Sequence, residues 1–287
     1  MSKRWLRAIA RYPAPMRVGI FLVMLAIAWL PFHLSISALI PDPNAASILT
    51  MVALFVAFLL LVRLWGRRVH GIAHPLQHYG LGRGRHHIFD LLQGFGLGAI
   101  SLLSLFGIQS LLGWTAWSLP ALGSGGAILR MTAEGLAVGL AVGLGEELVF
   151  RGWLLDEGER DYSPATALWV SSLLFAVLHF IRPLSEMIRT FPQFPGLVVL
   201  GLALVWGKRS HQGRLGFPIG LHAGLVWGYY VVNVGSLITY QANRPEWLSG
   251  IDQNPLAGGL GLVLLLGLAA YIRFPIRSKG RSHRNLC

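Results

Sequence analysis

The sequence predicts an all-α fold, a polytopic membrane helix bundle of about eight transmembrane helices, and three observations carry that prediction. Apolar residues make up 54% of the 287-residue chain and charged residues only 13%, where an ordinary soluble domain carries about 25% charged residues. Apolar runs near spanning length, about 20 residues, recur from one end of the chain to the other. Lysine and arginine gather in alternate connections between those runs, as the positive-inside rule requires. The 35 glycines fit the same class, because membrane helices tolerate glycine and pack closely over it. The sole cysteine, Cys287, excludes a disulfide framework and does not form a prenylation box.

The first apolar segment, 18–40, follows Lys3, Arg4, Arg7 and Arg11. It is too long for the apolar stretch of a signal peptide and reads as a retained span. A second segment covers 46–65. Residues 66–89 form the longest inner connection, in which His70, His74, His78, His86 and His87 alternate with arginines. Metal binding is one reading of that run; an interfacial loop facing anionic lipid is the stronger one. Further segments cover 90–112, 127–150, 164–181, 195–207, 215–236 and 256–273. The sixth is short enough to be tilted or re-entrant. With the N-terminus inside, every lysine and arginine of the 24 falls at an inner end except Arg130, Arg182, Arg189 and Arg244. That asymmetry places both termini in the cytoplasm and the chain in a cytoplasmic-type membrane, not in an outer-membrane barrel. It also accounts for the net charge of +12 without nucleic acid as a partner.

Ionisable side chains inside apolar spans cost about 2.5–3.5 kcal/mol each on insertion scales, so they are kept where they meet one another, water or a substrate. Glu146, Glu147 and Arg151 lie in GEELVFRG at the end of the fourth segment, and His179 lies in SSLLFAVLHF of the fifth. At helical pitch Gly135, Gly139, Gly143, Glu147 and Arg151 share one stripe. Glu147 and Arg151 are an i,i+4 pair with the acid on the favourable N-terminal side. Glu146 is turned away by about 100° and has no such local counter-ion, which suits a general base. Glu146 and His179 are symmetric about the polar turn EGERDYSP. Each lies 13 or 14 residues, roughly 20 Å, from it, so antiparallel neighbours hold both at one depth. Phe175 lines the same face one turn before His179. His222, flanked by Gly220 and Gly224 in FPIGLHAGLVWGYY, is the third candidate. The plainer readings are an ion cluster at a helix end, a satisfied core histidine and an interhelical hydrogen bond.

Glu146-Glu147-x-x-x-Arg151, then Phe175-x-x-x-His179, then His222 on a later span, resemble the motifs of the CAAX protease and bacteriocin-processing (CPBP, or Abi) family, which includes the type II CAAX prenyl endopeptidases. The resemblance covers about 127–236. It implies accessory spans over 1–126, a CPBP-type protease domain over 127–236, and a last span with a basic cytoplasmic tail over 237–287. It further implies a membrane endopeptidase of metallo- or glutamate type. Its partners would be membrane lipids and a membrane-bound or lipidated, in some members prenylated, peptide. In the roles so implied, Glu146 is the general base aided by His179. Glu147 with Arg151 holds the base region. His222 polarises the carbonyl or stabilises the oxyanion. Glu146, His179 and His222 are the ligands available to a zinc ion; HExxH is absent, and metal-free glutamate chemistry is the favoured mechanism. One position departs from the family pattern: where the third motif carries Asn or Asp four residues after the histidine, this chain has Val226. Asn233 is about 16 Å further along the helix, and Trp227 and Tyr229 are the nearer donors. The alternatives from other classes are a catalytically silent membrane scaffold or bacteriocin self-immunity protein, and a proton-relaying transporter.

Overall fold

The computed structural model describes the backbone of residues 3–118 and 125–284 and the side chains of 6–118 and 125–274. Cys287 and the basic side chains of Lys3, Arg4, Arg277, Lys279, Arg281 and Arg284 lie outside the described residues. A short α1 (Lys3–Ile9) leads into α2 (Ala14–Leu39) and α3 (Pro43–Arg68). Then come the single turn α4 (Pro75–His78) and α5 (Arg85–Leu111). After β1 (Thr115–Trp117), one continuous rod is built from α6 (Gly125–Glu147), a π turn (Leu148–Leu154) and α7 (Leu155–Glu159). The remaining elements are α8 (Pro164–Leu178), α9 (Leu184–Thr190), α10 (Phe194–Ser210), α11 (Gly216–Tyr229), β2 (Ile238–Tyr240), α12 (Glu246–Ser249) and α13 (Gly259–Arg284). Starts follow local chemistry. Asp42 accepts from the Ala45 N–H with Pro43 in the first turn of α3, and Ser163 accepts from the Thr166 N–H with Pro164 in the first turn of α8. Each satisfies a donor the helix cannot.

All eight apolar segments are helical, but among the described residues five helices are long and apolar enough to cross a membrane: Ala14–Leu39, Pro43–Arg68, Arg85–Leu111, Gly125–Glu159 and Leu184–Ser210. The fifth and eighth segments give the shorter apolar helices Pro164–Leu178 and Gly259–Phe274. The sixth segment is not a short span, because α9 and a 3-10 turn at Phe191–Gln193 lengthen it at its N-terminal end. The seventh becomes α11, buried over most of its length.

Backbone contact explains that burial. A Cβ on Gly220 would stand 2.0 Å from the Leu91 carbonyl oxygen of α5, and one on Gly143 would stand 2.8 Å from the Ile219 carbonyl oxygen. Glycine therefore lets α11 lie against α5 on one side and α6 on the other. Gly220→Ala is expected to force α5 and α11 apart and to cost about 1–3 kcal/mol, read as a lower unfolding midpoint in detergent; an unchanged midpoint would refute the contact. The core around α11 and α10 contains Leu102, Phe175, Leu200, Leu204, Phe217, Leu221 and Leu265.

Helices α2 and α3 dock on α7. Glu157 of α7 is fully buried and accepts from Arg17 Nε (2.7 Å) of α2 and Trp65 Nε1 (2.7 Å) of α3, and its Oε1 lies 2.6 Å from His70 Nε2. Arg17 also pairs with Asp161. An apolar seam runs above this node, where Phe21 stacks on Trp153 at 4.0 Å. The connection after α3 is not simply a lipid-facing loop: Tyr79 is fully buried and the Gly80 carbonyl accepts the Leu215 N–H. Its histidines disperse, His70 to Glu157 and His78 to Asp156. At the opposite end of the bundle from Glu157, β1 and β2 pair antiparallel, Thr115 opposite Tyr240.

Candidate active site

The rod carries Glu146 and Glu147 to the end of α6, where the hydrogen-bond register changes. Glu147 faces inward on the glycine stripe with Gly135, Gly139 and Gly143, and is fully buried. Arg151, fully buried within the π turn, donates from Nη1 to Glu147 Oε1 at 2.8 Å. The same oxygen lies 2.9 Å from His222 Nδ1 on α11. One carboxylate oxygen thus joins a guanidinium of its own rod to an imidazole 75 residues away. Arg151 also reaches the Gly201 carbonyl of α10 at 3.4 Å and lies 4.3 Å above the Phe175 ring of α8, a favourable cation–π distance.

Glu146 is the more open acid, its side chain 33% exposed, and His179 opposite is 31% exposed. Glu146 Oε2 is 3.8 Å from His179 Nε2 and 3.9 Å from His222 Nε2. No protein group hydrogen-bonds to that oxygen. The outer nitrogens of both rings are set by what the inner ones do. His179 Nδ1 lies 2.7 Å from the Phe175 carbonyl, a pure acceptor. His222 Nδ1 faces the Glu147 carboxylate. Both Nδ1 atoms therefore carry hydrogen, and a ring in its neutral form presents an Nε2 lone pair toward Glu146. Phe175 contributes its carbonyl to His179 and packs its ring 4.5 Å from that imidazole and 6.2 Å from His222.

Two histidines and a carboxylate thus converge at the level where α6 meets the π turn, with a buried charge pair behind them. Residues 128–228 match the family model Rce1-like, described as type II CAAX prenyl endopeptidase Rce1-like. The segment belongs to the CAAX-protease family. No curated protein matches the chain, and no solved structure does. The CAAX-protease segment contains Glu146, Glu147, Arg151, His179 and His222, and the five helices of spanning length make it part of a multi-pass membrane protein.

Two of the three donors considered in place of Val226, Trp227 and Asn233, are engaged elsewhere. Trp227 Nε1 donates to the Thr132 carbonyl at 3.3 Å. Asn233 lies beyond the CAAX-protease segment and accepts from the Tyr240 hydroxyl at 2.9 Å. Burial pushes the pKa of that hydroxyl up to about 12, so it stays a neutral donor. Neither Trp227 nor Asn233 serves the Glu146 region.

Among the described residues no group of three or more His, Cys, Asp or Glu side chains is placed to close on a metal ion. The donor chemistry nevertheless fits zinc. Two Nε2 lone pairs face a carboxylate, and each ring is oriented through its Nδ1–H by a carbonyl or carboxylate, the outer-shell arrangement metal-binding histidines use. Sequence reasoning missed the bond from His222 to Glu147 and the two carbonyl contacts that hold the π turn. The first joins helices far apart in the chain, and the second arises from hydrogen-bond register; neither leaves a motif.

Proposed function

We propose that the chain is an intramembrane endopeptidase that hydrolyses a peptide bond of a membrane-associated, lipid-modified substrate through a water activated by Glu146. The observation that supports this most is the position of the Glu146 carboxylate, unpaired at Oε2 and faced at 3.8 and 3.9 Å by two imidazole nitrogens free to accept or return a proton. In this reading the water oxygen bonds to the substrate carbonyl carbon while its proton passes to Glu146. The carbonyl becomes an oxyanion, and it is stabilised where His222 or His179 enters the step as an imidazolium, its Nε2 proton taken from solvent beforehand and kept throughout. As the C–N bond breaks, the proton held by Glu146 goes to the departing amine. Glu147 fixes the tautomer and direction of His222, and Arg151 holds the same Glu147 oxygen in place. A zinc ion, where bound, would be held by Glu146, His179 and His222 and would lower the pKa of its water. The basic inner ends orient the protein with both termini cytoplasmic, in contact with anionic lipid.

The test is hydrolysis in liposomes of a panel of lipidated and transmembrane peptides, with and without a chelator. Cleavage by the wild type is expected, and chelator sensitivity separates zinc from metal-free chemistry. Val226 at the third motif keeps a catalytically silent scaffold in view as the competing reading: equal inactivity of the wild type and a Glu146→Gln variant across the panel would favour it.

A further inference from the structure

Two main-chain carbonyls of the π turn accept side chains from α8 and α10. Bonds in a π turn run from residue i to i+5, and here the Leu155 N–H reaches the Phe150 carbonyl. That carbonyl also accepts from Ser171 Oγ of α8 at 3.0 Å, and the Arg151 carbonyl accepts from Lys208 Nζ of α10 at 2.6 Å. Helix α10 therefore holds Arg151 twice: by its side chain at the Gly201 carbonyl and by its main chain at Lys208.

Lys208 is an unusual group to find there. It is buried, and among the described residues no carboxylate lies within ion-pair distance of it. Its neighbour Arg209 does what a lysine or arginine at the inner end of a span ordinarily does, reaching outward to Glu159 and the Pro164 carbonyl. A buried ammonium without a counter-ion is costly, and an apolar side chain would fill the site if packing were its only use. The carbonyl it meets belongs to the residue that anchors Glu147.

We infer that Lys208, assisted by Ser171, is a positioning residue: it pins the π turn so that Arg151, Glu147 and through them His222 keep their places. The inference rests on the endopeptidase reading above. In the liposome assay Lys208→Met should lower kcat by about 10–100-fold, the scale of a small misplacement, with KM within about twofold, the pattern of an interaction needed in the transition state, and an unchanged unfolding midpoint. Lys208→Arg should restore part of the loss. Ser171→Ala should lower kcat by about 3–10-fold, as expected for one anchor of two. Amide exchange across 148–155 should speed up by about tenfold in Lys208→Met, reporting local opening without turnover. Wild-type kcat in Lys208→Met, or a loss that only follows a smaller folded fraction, overturns the inference. If Lys208→Met does not fold, Ser171→Ala decides: a lowered kcat at an unchanged midpoint supports the inference and an unchanged kcat overturns it. Should the wild type hydrolyse nothing, the endopeptidase reading fails, and exchange alone decides the pinning.

Discussion

Glu146→Gln is expected to lower hydrolysis by about 10²–10⁴-fold, the range general-base catalysis contributes, while leaving the protein folded. Glutamine keeps the size and shape of the side chain but its amide cannot take the proton of the attacking water. The fold does not lean on this carboxylate: Oε2 has no protein hydrogen bond and the side chain is 33% exposed. Glu147 differs, since its single oxygen Oε1 serves both Arg151 and His222 at full burial. Glu147→Gln should therefore reduce stability as well as activity, and the two variants separate chemistry from scaffold. The measurement is steady-state turnover beside an unfolding curve for each. A folded Glu146→Gln that cleaves at the wild-type rate would end the glutamate-base proposal.

Arg17→Met is expected to cost about 3–5 kcal/mol, the usual result of removing one partner from a buried ion pair. Arg17 is buried and places Nε on the fully buried Glu157, Nη2 on the Glu157 carbonyl and Nη1 between Asp161 and the Tyr12 carbonyl. Methionine leaves that carboxylate with Trp65 and His70 alone. The loss should appear as a sharply lower unfolding midpoint in detergent, and Glu157→Gln in the same background should recover part of it because the uncompensated charge is gone. A change under about 1 kcal/mol, the scale of an exposed pair, would show that the node is not closed in the membrane.

Hydropathy found the long helices of the bundle, because lipid imposes a length and a polarity on each. It read the count less well. Residues 215–236 are apolar whether they face lipid or lie between α5 and α6, and composition does not distinguish the two. The acids, Arg151 and His179 were legible because a charge in an apolar run is anomalous, and the matched distance from the turn at Ser163–Pro164 put Glu146 and His179 across from each other. Arg17 and Lys208 were not legible. A basic residue at the end of a span satisfies the positive-inside rule, and only tertiary contact reveals that these two turn inward. The His222–Glu147 bond was hidden for a related reason: position along a helix gives depth, not which neighbour stands beside it.

The π turn also acts as a gearing between the two ends of one rod. Above it Glu146 and Glu147 face α8 and α11; below it Glu157 faces α2 and α3. A π turn holds one residue more than an α turn would over the same bonds, and one residue is about 100° of rotation. Deleting a single residue between Leu148 and Leu154, and so restoring an α register, would twist Glu157 away from Arg17 or the acids away from the histidines. Both ends cannot stay engaged. The angular offset between the Glu146 and Glu157 carboxylates is therefore fixed by length within this turn, and the N-terminal helices and the Glu146 cluster can be aligned at once only while the extra residue is kept.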